Sequence, residues 1–239
     1  MTDRPILFSG SMIRALIAEC MKPGHGKTQT RRVLKAEVPP MPSDEVVHRA
    51  KHERPYLDAY AKSSMWCWWT RDDRCCLPQF DVGYAEGDHL WVRETWADDE
   101  QFGGVLYRAD NPDADPIGNG WRPSIFMPRK HSRLTLTVTD VRVQRLQEIS
   151  EEDAKAEGAD KLVMECDGEA FYLDNEKGTH RCGFAGLWEH INGKRPGRGW
   201  DDNPWIVAVT FKPELRNIDA AANYDQAPTD PHHGGKIWA

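Results

Sequence analysis

The densest chemistry in this 239-residue chain lies between residues 24 and 35. There Gly24-His25-Gly26-Lys27-Thr28-Gln29-Thr30-Arg31-Arg32 places glycines, a lysine, hydroxyls and two arginines in one short stretch. Glycine followed by Lys-Thr suggests a phosphate-cradling loop, but the order is wrong for one. A Walker loop has four residues between its first glycine and the Gly-Lys pair, and it leads from a strand into a helix so that backbone amides aim at phosphate. Here a helical pattern comes before the glycines and a strand-like pattern after them, which argues against P-loop hydrolysis. Two further groups repeat the basic character: Arg129, Lys130 and Arg133, and Lys194, Arg195 and Arg198. Each such cluster taken alone reads as a solvated face balanced by nearby acids. Cys67, Cys75 and Cys76 with His48 or His52 are the only plausible zinc set, and they lack the tight paired spacing such sites use, so no metal and no cofactor are expected. His232 and His233 sit in a polar stretch and read as solvated residues.

The bulk properties bound the rest. A formal net charge of −7 excludes a protein that coats nucleic acid nonspecifically, since such binding needs many cation–phosphate contacts, so any nucleic-acid contact must be local. Apolar runs such as Trp205 to Val209 are far short of the roughly 20 residues of a membrane span, and Met1 to Arg14 lacks a signal-peptide pattern. The expectation is a cytoplasmic protein without membrane contact, its cysteines reduced.

The elements that must position the 24–35 stretch follow from periodicity. Ile6 to Phe8 reads as a short buried strand, and Met12, Ile13, Leu16, Ile17 and Cys20 recur at helical spacing after a cap at Ser9 or Ser11. Pro23 and Gly24 end that helix, and Lys27 to Leu34 reads as a strand leaving a glycine turn. Strand alternation would put Thr28, Thr30 and Arg32 on one face and Lys27 on the other, so Lys27 must still belong to the turn. Residues 36–82 change character, with Pro39, Pro40, Pro42 and Pro55 and then Trp66, Trp68 and Trp69 without clean periodicity, and read as a long irregular insertion whose tryptophans need cover.

Beyond it, His89 to Glu94 and Val105 to Arg108 read as strands, and Leu134, Leu136 and Val138 alternate with threonines in a long strand, Arg133 to Arg145. Its register shifts near Asp140, which predicts a bend or bulge. Ser150 and Asp153 cap a short acidic helix running to about Glu157 and stopped by Gly158. Phe184, Leu187, Trp188 and Ile191 mark an amphipathic helix ended by Asn192-Gly193, and Trp205, Val207, Val209 and Phe211 line one face of a last strand. The predicted architecture is α+β, a small closed β-barrel with flanking helices, in one domain over 1–212 with a loose tail over 213–239.

This combination resembles the ASCH domain family of PUA-like folds. The family signature G-x-K-x-x-[TS]-x-R is matched by Lys27, Thr30 and Arg32, while its glycine falls on His25, flanked here by Gly24 and Gly26. Arg4-Pro5-Ile6-Leu7-Phe8-Ser9-Gly10, the Lys-Thr-Gln-Thr-Arg-Arg run, Leu90-Trp91-Val92-Arg93-Glu94-Thr95-Trp96 and Trp121-Arg122-Pro123-Ser124-Ile125 look like ASCH-like proteins of phages and prophages. The likeness spans about residues 4–35 and 84–212.

The resemblance implies either RNA binding or cleavage, or hydrolysis of the amide that joins an acetyl group to the exocyclic amine of cytidine. For the second activity it implies a catalytic lysine, threonine and glutamate at Lys27, Thr30 and Glu157, with Glu151, Glu152 and Asp153 as neighbouring carboxylates. Arg31, Arg32, Thr28, Trp91, Glu94 and Trp96 are then the candidate substrate contacts. Two other readings stand beside it. One is a non-catalytic reader of modified or single-stranded nucleic acid, with a base stacked on Trp91, Trp96 or an insertion tryptophan and Arg31 and Arg32 on phosphates. The other is a phage protein that binds a host protein through the tryptophan-rich insertion.

Overall fold

The computed structural model describes residues 2–35, 37–38, 56–60, 63–69, 75–99, 103–117, 120–162 and 178–220. The fold is mixed α+β. Its spine is an antiparallel pair of long strands, β9 (Thr135–Arg145) and β10 (Trp205–Glu214). Around it a five-stranded sheet runs in the order β1 (Asp3–Leu7), β6 (His89–Arg93), β9, β10, β2 (Gln29–Val33), with β1 parallel to β6 and the other pairs antiparallel. Thr210 faces Asp140 but Phe211 faces Val138, which leaves Thr139 as the extra residue of a bulge. This is where the alternation in the sequence breaks phase, and the bulge bends the spine.

The sheet separates two cores. On one side Leu90, Val92, Leu136, Val138, Val207 and Val209 pack with Ile13 and Leu16 of helix α1 (Gly10–Met21). On the other side Ile206 and Ala208 pack with Ala154 of α2 (Glu151–Ala156) and with Phe184 and Trp188 of α3 (His180–Asn192). The expected cap at Ser9 is conformational only: its backbone is extended and its hydroxyl meets Ser11 Oγ at 3.1 Å. Ser150 Oγ does accept the Asp153 amide at 3.0 Å, and Gly158 turns the chain out of α2 at a φ of +77°. Thr179, which the pattern did not single out, caps α3 by accepting the Cys182 amide.

Three expectations need correction. The backbone ladder does not close into a barrel: β1 and β2 are the two edges of an open sheet. They come within side-chain reach of each other, however, because Arg32 Nη2 donates to Leu7 O at 2.7 Å. The insertion is not irregular where it is described. It forms a three-stranded antiparallel sheet of β3 (Tyr56–Ala59), β4 (Met65–Trp69) and β5 (Cys75–Asp81). Trp66, Cys67 and Trp68 are all buried, so β4 is covered on both faces and shows none of the alternation that marks a half-exposed strand. Trp66 joins the first core, and Trp68 meets Trp205 edge-on at 6.4 Å. The side chains of Cys75 and Cys76, and all of His48 and His52, lie outside the described residues.

The third correction is the domain end at 212. Ile218 is buried, Thr135 Oγ1 donates to Arg216 O, and Asn217 Nδ2 donates to Ser132 O at 2.6 Å, so residues 213–220 dock on the sheet. Isolated side chains fix that segment, Asn217 and Ile218 among them, and a search for apolar periodicity passes over them. Residues 221–239, with His232 and His233, lie outside the described set. A two-stranded ribbon of β7 (Trp96–Asp98) and β8 (Val105–Tyr107) completes the elements. Among the described residues no helix is long and apolar enough to cross a membrane.

Candidate functional site

The turn from α1 to β2 is held from both sides. Glu19 on α1 accepts the Gly24 and Gly26 amides through its carboxylate, at 2.9–3.0 Å. Gly24 lies at a φ of +85°, a conformation that side-chain-bearing residues avoid. Gly26 serves a different need: a Cβ there would sit 2.2 Å from Ala15 O, so only glycine lets the turn press against the helix. The two glycines flanking His25 therefore divide the tasks of tight turn and close approach. The Lys27 amide then donates to Ala15 O and the Thr28 amide to Ala156 O, which pins the chain between α1 and α2.

Lys27 lies in this turn, one residue before Thr28 and ahead of the first paired residue of β2. It is completely buried, and its Nζ donates to Glu157 Oε2 at 2.6 Å and to Glu157 O at 2.7 Å. The Phe8 ring closes another side, its centroid 5.9 Å from Nζ. Burial pushes the Lys27 pKa down, the charge of Glu157 opposes that shift, and the guanidiniums of Arg32 and Arg31 reinforce it.

Arg31 donates to Glu157 Oε1 at 3.2 Å and to Asp153 Oδ2 at 2.7 Å, and Arg142 donates to Asp153 Oδ1 at 3.0 Å. Arg142 is also paired with Asp140 at 3.2 Å, so three carboxylates, Glu157, Asp153 and Asp140, stand against Lys27, Arg31 and Arg142. Gln29 braces the network, its amide nitrogen bonded to Asp153 and Thr210 and its oxygen to Arg31. Arg31 Nε is buried without an acceptor among the described residues.

An open groove of about 1030 Å³ runs beside this cluster, between the β1 and β2 edges and along α3. Thr30, Arg31, Arg32 and Glu157 all line it, and Lys27 stands behind Glu157. The Thr30 side chain makes no hydrogen bond among the described residues, and it does not bond Lys27 Nζ. Arg32 reaches over the Phe8 ring at 5.3 Å. Thr28 is half-buried and outside the groove.

Trp91, Glu94 and Trp96 are not brought to this groove. Trp91 is buried with Arg93 stacked over it at 4.4 Å, and Trp96 is buried between Arg122 and His131. Glu94 is 2% exposed and receives two bonds from Arg133, at 2.8 and 3.0 Å. Burial raises its pKa against the pull of that arginine.

The residues that pattern reading missed are Gln29, Asp153 and Arg142 as partners of the site. Asp153 carries a signal in the sequence as a helix cap and as a carboxylate neighbouring Glu157, but not as the partner of Arg31 and Arg142. Its pKa is lowered although burial opposes this, because Arg142, Gln29 and Arg31 hold the carboxylate charged. No group of three His, Cys, Asp or Glu among the described residues is arranged to hold a metal. Comparison of the chain with protein-family models, with curated proteins and with solved structures returned no match.

Proposed function

We propose that this chain is an ASCH-like protein of PUA-related architecture that admits an acylated cytidine to the groove beside Thr30 and removes the acyl group from its exocyclic amine. The observation that carries the reading is the buried Lys27–Glu157 pair, with the amine pKa lowered by burial, next to a groove that Thr30 helps to line, its hydroxyl without a hydrogen bond among the described residues. An amine whose pKa is lowered by burial is better suited to act as general base, and a hydroxyl without a competing bond is free to be the nucleophile.

In this mechanism Thr30 Oγ1 adds to the acyl carbon as its proton passes to Lys27 Nζ, once bound substrate has turned the hydroxyl toward the amine. Collapse of the tetrahedral intermediate breaks the C–N bond, and the departing cytosine amine takes the proton from Lys27. Water then cleaves the acyl-threonine ester. Glu157 orients the lysine through its 2.6 Å bond, and Arg32 at the groove wall binds the base carbonyl or a phosphate. The open edge between β1 and β2, bridged by Arg32, supports a barrel-like parentage whose seam serves as the entrance. The setting proposed is the cytoplasm.

Purified protein should release acetate and cytidine from the acetylated nucleoside. Thr30→Val should remove that turnover while the thermal midpoint moves little, since the hydroxyl has no structural partner. Release that persists in Thr30→Val sinks this mechanism. The absence of a Lys27–Thr30 bond favours a second reading, a module that binds without catalysis. Binding of the nucleoside with no acetate released from it would establish that alternative.

A further inference from the structure

The Lys27–Glu157 pair does not stand alone. Glu157 closes α2 and Arg31 lies on β2, and one helical turn earlier on α2 the Asp153 carboxylate accepts from Arg31, Arg142 and Gln29. Asp153 and Glu157 are four residues apart, the spacing that puts two side chains on one helix face, and that face meets β2.

Arg31 is divided unequally between these two acids. Its Nη2 reaches Asp153 Oδ2 at 2.7 Å, the length of a strong charge-assisted bond, while its Nη1 reaches Glu157 Oε1 only at 3.2 Å. The side chain is buried, with the Phe184 ring 5.7 Å from the guanidinium carbon, so Arg31 has no route to solvent. Gln29 fixes this division, because its amide nitrogen holds Asp153 Oδ1 while its oxygen takes Arg31 Nη1. Glu157 is left with Oε2 for Lys27, at 2.6 Å.

Few charged groups face the amine. Glu157 does so from the end of α2, and Arg31 and Arg32 do so from β2. Glu19, the acid that α1 presents to the turn, spends its carboxylate on the Gly24 and Gly26 amides, and past the end of β1 the neighbour is the uncharged Phe8 ring. Glu157 is therefore the one carboxylate bonded to Lys27 among the described residues, and any larger share of it taken by Arg31 is lost to the amine.

We propose that Asp153 is a positioning residue of this site: by holding Arg31 it keeps Glu157 Oε2 for Lys27, so that the one carboxylate can orient the amine. The positioning role rests on the amidohydrolase reading above; the hold of Asp153 on Lys27 through Arg31 does not. When Asp153 loses its charge, Arg31 passes to Glu157, and two acids, Glu157 and Asp140, face three cations, Lys27, Arg31 and Arg142. Of those three only the lysine gives up its proton readily. Removal of Arg142 acts in the opposite sense. Asp153 then serves Arg31 without that competitor and draws it away from Glu157, which returns negative charge to the amine.

The test reads the amine directly, from the pH titration of the lysine ε-carbon signals of the full chain, with Lys27 identified by the signal missing in Lys27→Met. Asp153→Asn keeps the Ser150 cap, which uses the Asp153 backbone amide. It should lower the Lys27 midpoint by at least about half a pH unit, roughly a threefold loss of proton affinity. Arg142→Gln, at a side chain 40% exposed, should raise the midpoint by a smaller step of about 0.2 unit. A merely structural role moves Asp153→Asn the other way, since loosened packing admits water and lets the midpoint climb toward the ordinary 10.5. A rise or no change in Asp153→Asn overturns the proposal, and where that variant does not fold, a fall or no change in Arg142→Gln overturns it. Acetate release from acetylated cytidine is followed on the same preparations. In Asp153→Asn its pH limb should move down with the midpoint, and its plateau should drop by about tenfold as the amine loses its orientation. A lowered midpoint with limb and plateau unmoved overturns the positioning role. No release from the unaltered chain sinks the amidohydrolase reading, and the titration then decides the hold of Asp153 on Lys27 by itself.

Discussion

Two buried carboxylates of this protein, Glu157 and Glu94, have nearly the same exposure, at 5% and 2%, and both are bonded to arginine, yet their surroundings make them chemically unlike. Glu94 is matched to one guanidinium. Arg133 grips it through two nitrogens, and Arg133 is also bonded to Asp110 and stacked on Tyr107 at 4.0 Å. Burial works against the Arg133 charge, but these bonds outweigh it and its pKa goes up. Glu157 instead divides its oxygens between Arg31 and Lys27, and Arg31 is already shared with Asp153. Burial pushes the Lys27 pKa down with Arg32 and Arg31 adding to it, and among these cations the amine is the one able to shed its proton. The contrast teaches that burial of an ion pair does not make a reactive group. A desolvated titratable amine does so, and here it stands beside an open groove.

The sharpest way to break that contrast is to delete the cation from each cluster. Lys27→Met should cut turnover of acetylated cytidine by about 10²–10⁴-fold, the usual range for loss of a general base, with little loss in urea stability because Arg31 still serves Glu157. Arg133→Met should do the reverse. It strands a buried Glu94 and should cost about 3–5 kcal/mol in urea unfolding. Equal loss of stability in both variants would mean that Lys27 is simply another structural ion.

The pH dependence refines the same comparison. The Lys27 pKa is below its ordinary value of 10.5 when folded, so kcat/KM should rise with pH as the amine loses its proton. The unfolded chain binds the extra proton, so the Lys27 contribution to stability should also increase with pH between the folded value and 10.5. Glu157→Gln removes the charge that opposes the shift, and the rising limb of the rate profile should move to lower pH. A limb that moves up, or stays in place, would contradict this electrostatic account.

The turn supplies smaller effects. Gly26→Ala forces a Cβ against Ala15 O and should cost about 1–3 kcal/mol as overpacking does, lowering turnover as well because it displaces Lys27. Gly24→Ala meets no atom within 4 Å but sits at positive φ, and should cost about 1–2 kcal/mol from backbone strain alone. Thermal melts with turnover measured on the same preparations separate the two. Gly24→Ala should leave the activity per folded molecule nearly intact.

Legibility in the sequence tracked local periodicity. α1, the acidic helix α2 with its Ser150 cap, the spine strand β9 and the bulge at Thr139 all announced themselves, because each is a pattern of neighbours along the chain. β4 did not. With Trp66, Cys67 and Trp68 buried together it has no polar face to alternate with, and its cover comes from residues as distant as Trp205. The same limit applied to the site. That Lys27 had to sit in the turn followed from strand alternation, but the diversion of Trp91 and Trp96 into packing, and the docking of Asn217 on Ser132, depend on contacts across the fold.

The sequence by itself determined the parts whose physics is local: where α1 stops, where α2 starts and stops, and which residues of the spine strands share a face. Only the tertiary structure decided the partners of the charges. Lys27 and Glu157 are 130 positions apart, and Arg31 and Asp153 are 122. Charges on a chain have no sequence rule for pairing, and an amine becomes a base when burial and neighbouring guanidiniums make its proton costly to keep.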